Sequence, residues 1–200
     1  MRRRVPEPVR VTCPPGWLLP LALLAAPLRA QTAPPPGDPL PAHETFTVAS
    51  RALGEARTIN VHTPAGYVAS TATRFPVLYM PDGGLDEDFP HVVHTVDSLM
   101  ALGVIRPVIV VGIPNTERRR DLTGPTRVAA DSAIAPRVGG SAAFRRFLRD
   151  ELIPEVRSRY RTSGERAIVG ESLAGLFVVE TFLDQPASDS PTIARSPDVR

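Results

Sequence analysis

The chain has 200 residues, 42% hydrophobic and 22% charged, which excludes a collagen-like, coiled-coil or wholly disordered polypeptide. Its formal net charge of +2 sits at one end: residues 1–30 hold five arginines and one acid, and the remainder holds 18 arginines against 20 acids. That near-neutral remainder makes no electrostatic case for DNA or RNA, whose binders concentrate basic charge on one face.

The N-terminus runs from Arg2-Arg3-Arg4 into an apolar stretch, Trp17 to Leu28, and then to Ala30 before Gln31. A charged region, a short apolar region and a small residue, in that order, predict a secretory signal over residues 1–30. The apolar run is shorter than the ~18–20 residues of a spanning helix, so export to the periplasm or medium is expected, with no stable membrane association after signal removal. Cys13 is the single cysteine and would leave with the signal. The mature chain would then have no disulfide, thiol nucleophile or cysteine metal site. Residues 31–42 (QTAPPPGDPLPA) are proline-rich with little to pack, and predict a tether. The remaining domain is placed at 43–200.

Beyond the tether, 44–50 alternates, with Phe46 and Val48 on one face, and 58–62 follows a break at Gly54. The two predict an antiparallel edge pair. The runs at 75–80 (FPVLYM) and 107–111 (PVIVV) are almost wholly apolar, as in strands buried on both faces. A third such run, 167–169, leads into Gly170. Between the strands, 89–102 carries Val92, Val93, Val96, Leu99 and Met100 at helical spacing. Ser141 is placed as the N-cap of a helix with Phe144, Phe147, Leu148 and Leu152 on one stripe, ending at Pro154, with a further turn or two at 156–160. Residues 173–183 have the length and apolar content of a buried helix. Strands alternating with helices predict an α/β fold with a mostly parallel sheet and helices on both faces.

The sharpest motif is RAIVGESLAGLF at 166–177. A serine, Ser172, stands where a strand turns into a helix, with Gly170, Ala174 and Gly175 around it. To project its hydroxyl from a strand end the serine needs a tight, strained turn, and strand and helix then approach too closely for larger residues. The following helix aims its free N–H groups at the same place, so the Leu173 N–H is a candidate oxyanion donor. A bare G-x-S-x-small match also describes an inert glycine-rich turn; the flanking buried strand and apolar helix favour a nucleophile elbow. A flexible loop, Pro81-Asp82-Gly83-Gly84-Leu85, follows the 75–80 strand. Parallel strands open their C-terminal ends on one side, where ligands bind. Gly84 or Leu85 is therefore the candidate for the second oxyanion N–H.

The segments RTINVHTPAGY (57–67), FPVLYMPDGG (75–84) and IVGESLAGLF (168–177), in this order, resemble the esterase D-like family of α/β-hydrolases, and within it the siderophore (enterochelin) esterase-like branch. The resemblance covers residues 44–184. It implies an α/β-hydrolase fold, a serine esterase acting on a small-molecule ester, no cofactor or metal, and Ser172 as nucleophile. Ala174 stands where many members have glycine, a mild departure.

A larger departure concerns the base. The fold's triad order is Ser, then Asp or Glu, then His, yet only 28 residues follow Ser172 and none is histidine; His43, His62, His91 and His94 all precede it. The expectation is a chain that stops after the elbow and its helix, before the strands bearing acid and histidine, and is inactive as it stands because a serine without a base is a poor nucleophile. His91 and His94, beside Asp86, Glu87 and Asp88, offer an alternative base or a metal site, against the simpler reading of a solvated helix start. Arg119 and Arg120, in the run 117–121, are candidate grips for an anionic or catecholate substrate, against a plain solvated charge run. The competing functions are an acyltransferase on the same machinery and a non-catalytic remnant or binding domain, whose uncovered sheet edge would favour aggregation.

Overall fold

The protein is described by a computed structural model covering residues 38–134 and 137–184. Five strands, β1 (Glu44–Ser50), β2 (Glu55–His62), β3 (Phe75–Pro81), β4 (Ile109–Ile113) and β5 (Thr162–Ile168), form one sheet in the order β1-β2-β4-β3-β5. The first two are antiparallel to each other, and β2 is antiparallel to β4. The inner strand β3 runs parallel to both β4 and β5. The alternating, half-exposed sequence of 44–50 suits this edge position, whereas β4 is buried along its whole length.

Side chains of β3 and β4 alternate between two cores, as the two-residue period of a strand requires. Val77 and Tyr79 of β3, with Ile109, Val111 and Ile113 of β4, pack on one face against Leu122, Phe144, Phe147, Leu152, Val156 and Phe177. Met80 and Val110 point the other way, against Phe89, Val93 and Val96 of α1 (Phe89–Ala101). The first face carries α2 (Arg118–Leu122), α4 (Ser141–Arg146), a π-helical segment (Phe147–Leu152), α5 (Ile153–Arg159) and α6 (Leu173–Asp184); α3 (Ala129–Ile134) precedes α4. Helices thus cover both faces of a mostly parallel sheet, the α/β fold expected.

The structure departs from the sequence expectations at several ends. Ser141 is the first residue of α4, Gly140 takes the N-cap position, and no side-chain cap bond forms. The helix does not stop at Pro154: α4, the π-helical segment and α5 continue one into the next, with Pro154 in the first turn of α5, where a missing N–H is tolerated. Strand β5 begins five residues before the apolar run that announced it, because its first part carries polar residues, with Ser163–Glu165 exposed. The run itself is not buried on both faces: Ala167 and Ile168 are half-buried and Val169 is exposed. The signal segment lies outside the described residues. Of the tether, residues 38–42 are described, and they are bonded to the domain. Asp38 pairs with His91 (2.9 Å), and the carbonyls of Pro39 and Ala42 accept from His94 and His62 (2.7 Å each).

Candidate active site

Strands β3 and β5 are parallel neighbours, with Tyr79 opposite Ile168, so the segments that follow them emerge side by side. The Val169 N–H donates to the Tyr79 carbonyl at 3.0 Å, carrying the pairing one residue past the strand. The chain then turns through Gly170 and Glu171 to Ser172 and enters α6 at once. Ser172 is exposed and has φ +54°, the left-handed region that costs an L-residue about 1–2 kcal/mol. The tightness expected of the corner is present. A Cβ on Gly170 would lie 2.6–2.8 Å from the backbone and Cβ of Ala174, and one on Gly175 would be 3.0 Å from the Gly170 carbonyl oxygen. The turn is closed by Ala174 N–H to Glu171 O and Leu176 N–H to Ser172 O, both 3.0 Å. Among the described residues the Leu173 N–H has no acceptor, so this donor stands free at the helix start.

The loop after β3 is not the flexible element expected. Asp82 also has a positive φ, +58°, and is buried. Arg118 grips its carboxylate through two bonds of 2.7 Å, and Asn115 Nδ2 adds a third at 2.6 Å. Burial pushes this carboxyl up, but the hydrogen bonds from Arg118 and Asn115 and the guanidinium charge outweigh it and hold the carboxyl below its ordinary value. Gly83 crosses the end of β4, where a Cβ would meet the Ile113 nitrogen at 2.2 Å. Its N–H donates to the Ile113 carbonyl and its own carbonyl accepts from Asn60 Nδ2. The Gly84 N–H donates to Glu87 Oε2 at 2.7 Å. Of the two loop donors predicted, Gly84 is thus engaged, while Leu85 has no N–H acceptor among the described residues.

The arginines divide differently from expectation. Arg120 is tied into the fold: its Nη2 bonds Glu55 and its Nε bonds Asp121, each at 2.6 Å. Buried Arg57 meets the same Asp121 at 2.5 Å and also bonds Glu55, Thr116 and the Pro114 carbonyl. Arg120 therefore braces β2 to α2 and is not available to a substrate, whereas Arg119 is exposed. Sequence reasoning missed Asn115 and Asn60 around the loop and gave Arg118 and Glu87 other parts, the one in a charge run at 117–121 and the other beside His91 and His94. The signal for Asn115 was its position just past the C-terminal end of β4. None of the histidines has a hydrogen bond to Ser172. His43 bonds the Pro41 carbonyl, His62 bonds Ala42 and Asp97, and His91 and His94 hold residues 38 and 39. Among the described residues no group of three metal-ligating side chains occurs.

The pattern of the family described as "Putative esterase" matches residues 50–199. The chain belongs to this esterase family. It is 29% identical over 181 residues to the ferri-bacillibactin esterase BesA of Bacillus subtilis (strain 168), a match covering 80% of the chain and 60% of that protein. The fold superposes on an IroE-like serine hydrolase from Shewanella oneidensis with a TM-score of 0.67 and 31% identity, over 76% of this chain and 48% of that one. A siderophore hydrolase, EstA from Aspergillus nidulans, shares the fold at 23% identity and a TM-score of 0.62, over 80% and 59% of the two chains. This esterase-family chain thus spans about half to three-fifths of the length of these relatives.

Proposed function

We propose that this protein is a serine-dependent carboxylic ester hydrolase with Ser172 as nucleophile. The observation that carries the reading is the left-handed Ser172 at the corner of β5 and α6, held where Gly170 and Ala174 touch. In the proposed reaction Ser172 Oγ attacks the ester carbonyl carbon and loses its proton, and the carbonyl π pair moves onto oxygen. The Leu173 N–H and a donor of the loop after β3 receive that oxyanion. Collapse expels the alcohol, which takes up the proton, and water then cleaves the acyl-serine to free acid. The names of two relatives, a ferri-bacillibactin esterase and a siderophore hydrolase, support small siderophore esters as the substrate class, with Arg119 on the site side as a candidate contact. The signal-like N-terminus supports export.

No described histidine bonds Ser172 and residues 185–200 contain none, so the 200-residue chain by itself is expected to show little or no turnover. The test has two parts. A fluorophosphonate should label the chain at Ser172 and not label Ser172→Ala, as mapped by mass spectrometry. Hydrolysis of p-nitrophenyl butyrate should be weak and should disappear in Ser172→Ala. Hydrolysis undiminished by the substitution sinks the assignment. The same absence of a base favours a second reading, a non-catalytic domain; brisk, Ser172-dependent turnover by the 200-residue chain would rule it out.

A further inference from the structure

The segment Asp82–Asp88 between β3 and α1 carries four carboxylates, and two of them turn inward to organise it. Glu87 folds back on its own loop: Oε2 accepts the Gly84 N–H at 2.7 Å and Oε1 accepts from Asn115 Nδ2 at 2.7 Å. Asn115 also directs its backbone N–H at this carboxylate, 3.3 Å from Oε1. Its Nδ2 has two hydrogens and two acceptors, Glu87 Oε1 and Asp82 Oδ1, so one amide bridges both carboxylates without leaving a donor over. Backbone bonds close the same ring, Glu87 N–H to Gly84 O and Asp88 N–H to Asp82 O, both 3.1 Å. A strained left-handed residue, Asp82, is thereby held at one end of the loop and an engaged glycine amide, Gly84, at the other.

We infer that Glu87, bridged through Asn115 to Asp82, is the positioning residue of the oxyanion loop and leaves Leu85 as its donor. The inference rests on the reading of Ser172 as nucleophile. An oxyanion needs N–H groups fixed before the charge develops. In this loop the Gly83 N–H belongs to the sheet and the Gly84 N–H to Glu87, so an oxyanion at Gly84 would also have to face a carboxylate. Leu85 follows directly, and the orientation of its peptide is set by the two bonds Glu87 makes to Gly84, one through its side chain and one through its N–H.

The test uses the 200-residue chain and reads the loop in two ways. The second-order rate of fluorophosphonate labelling at Ser172 reports on the hole, because the phosphonyl oxygen occupies it. Glu87→Ala should slow labelling at least tenfold with an unchanged far-UV spectrum, while Glu87→Gln, which keeps an acceptor for the Gly84 N–H, should retain a third or more of the rate. Separately, the Gly84 amide proton in a 15N-resolved spectrum should lie downfield in the wild type, as expected of a short bond to a carboxylate, and move upfield in Glu87→Ala. Labelling of Glu87→Ala at or above the wild-type rate overturns the positioning role, because Glu87 would then be idle or competing for the hole. A Gly84 amide unmoved by Glu87→Ala overturns the contact. Labelling of the chain that Ser172→Ala leaves unchanged overturns the nucleophile, and the positioning role falls with it.

Discussion

Ser172 and Gly170 put opposite demands on the same corner. The serine occupies a backbone region suited to glycine, and the glycine occupies a space with no room for a side chain. Ser172→Gly should therefore stabilise the protein by about 1 kcal/mol while removing the proposed nucleophile. Gly170→Ala should destabilise it by about 2–3 kcal/mol, because the new methyl overlaps the backbone of Ala174 and neither strand end nor helix start can retreat cheaply. Urea unfolding midpoints of the two variants, read at constant slope, check both signs. If Ser172→Gly proved destabilising, the corner would not be storing strain at that residue.

At the scale of elements, β2, α2 and α4 are joined through a buried charge cluster. Arg57 is 1% exposed, as is Asp121, and the guanidinium lies 5.4 Å from the Phe144 ring centroid. Asp121→Ala would leave this arginine without its buried partner and should cost about 3–5 kcal/mol. The pair replacement Arg57→Met with Asp121→Leu should cost clearly less, and a double-mutant cycle in urea measures the difference. Glu55, at the edge of the cluster, has its carboxyl lowered to about 2, chiefly by the Arg120 hydrogen bond and further by Thr116 and Arg57, against a smaller opposing effect of burial. A carboxyl depressed in the folded state adds stability above its unfolded value, near 4.5, and that stability is lost as pH falls towards about 2. Glu55→Gln should flatten the unfolding midpoint between pH 4.5 and 2; an unchanged acid limb would mean that Glu55 does not carry it.

At the scale of the molecule, α6 leaves one of its faces open. Among the described residues β5 is an edge strand, and α6 buries Ala174, Phe177 and Thr181 while Leu176, Val179, Phe182 and Leu183 remain more than half exposed. Isolated exposed leucines are ordinary, but four large apolar residues on one short helix form a patch. The 200-residue chain should bind a fluorescent hydrophobic dye and self-associate with concentration in sedimentation velocity. Val179→Lys with Leu183→Lys should reduce both; unchanged behaviour would locate the association elsewhere.

Much of this architecture was legible because strand burial leaves a direct trace in sequence. The apolar run at 75–80 and most of that at 107–111 lie inside the sheet, although β4 starts two residues later than expected, at Ile109, and Pro107 is exposed. The 166–177 pattern makes a tight strand-to-helix turn, and three motifs in order pointed to the family that residues 50–199 match. The polar half of β5 was not legible, since an exposed edge leaves no hydrophobic period. Composition and local pattern thus determined the α/β class and the tight turn at Ser172, both of which depend on burial or on backbone sterics within a few residues, while the family was legible only through the resemblance of three motifs. Only the tertiary structure decided which arginine braces the fold, which loop amide is already engaged, and where the histidines go. Arg57 and Asp121, Glu55 and Arg120, and Asp82 and Arg118 lie 36–65 residues apart, and partners at such separations are chosen by the packing of elements, which no local spacing records.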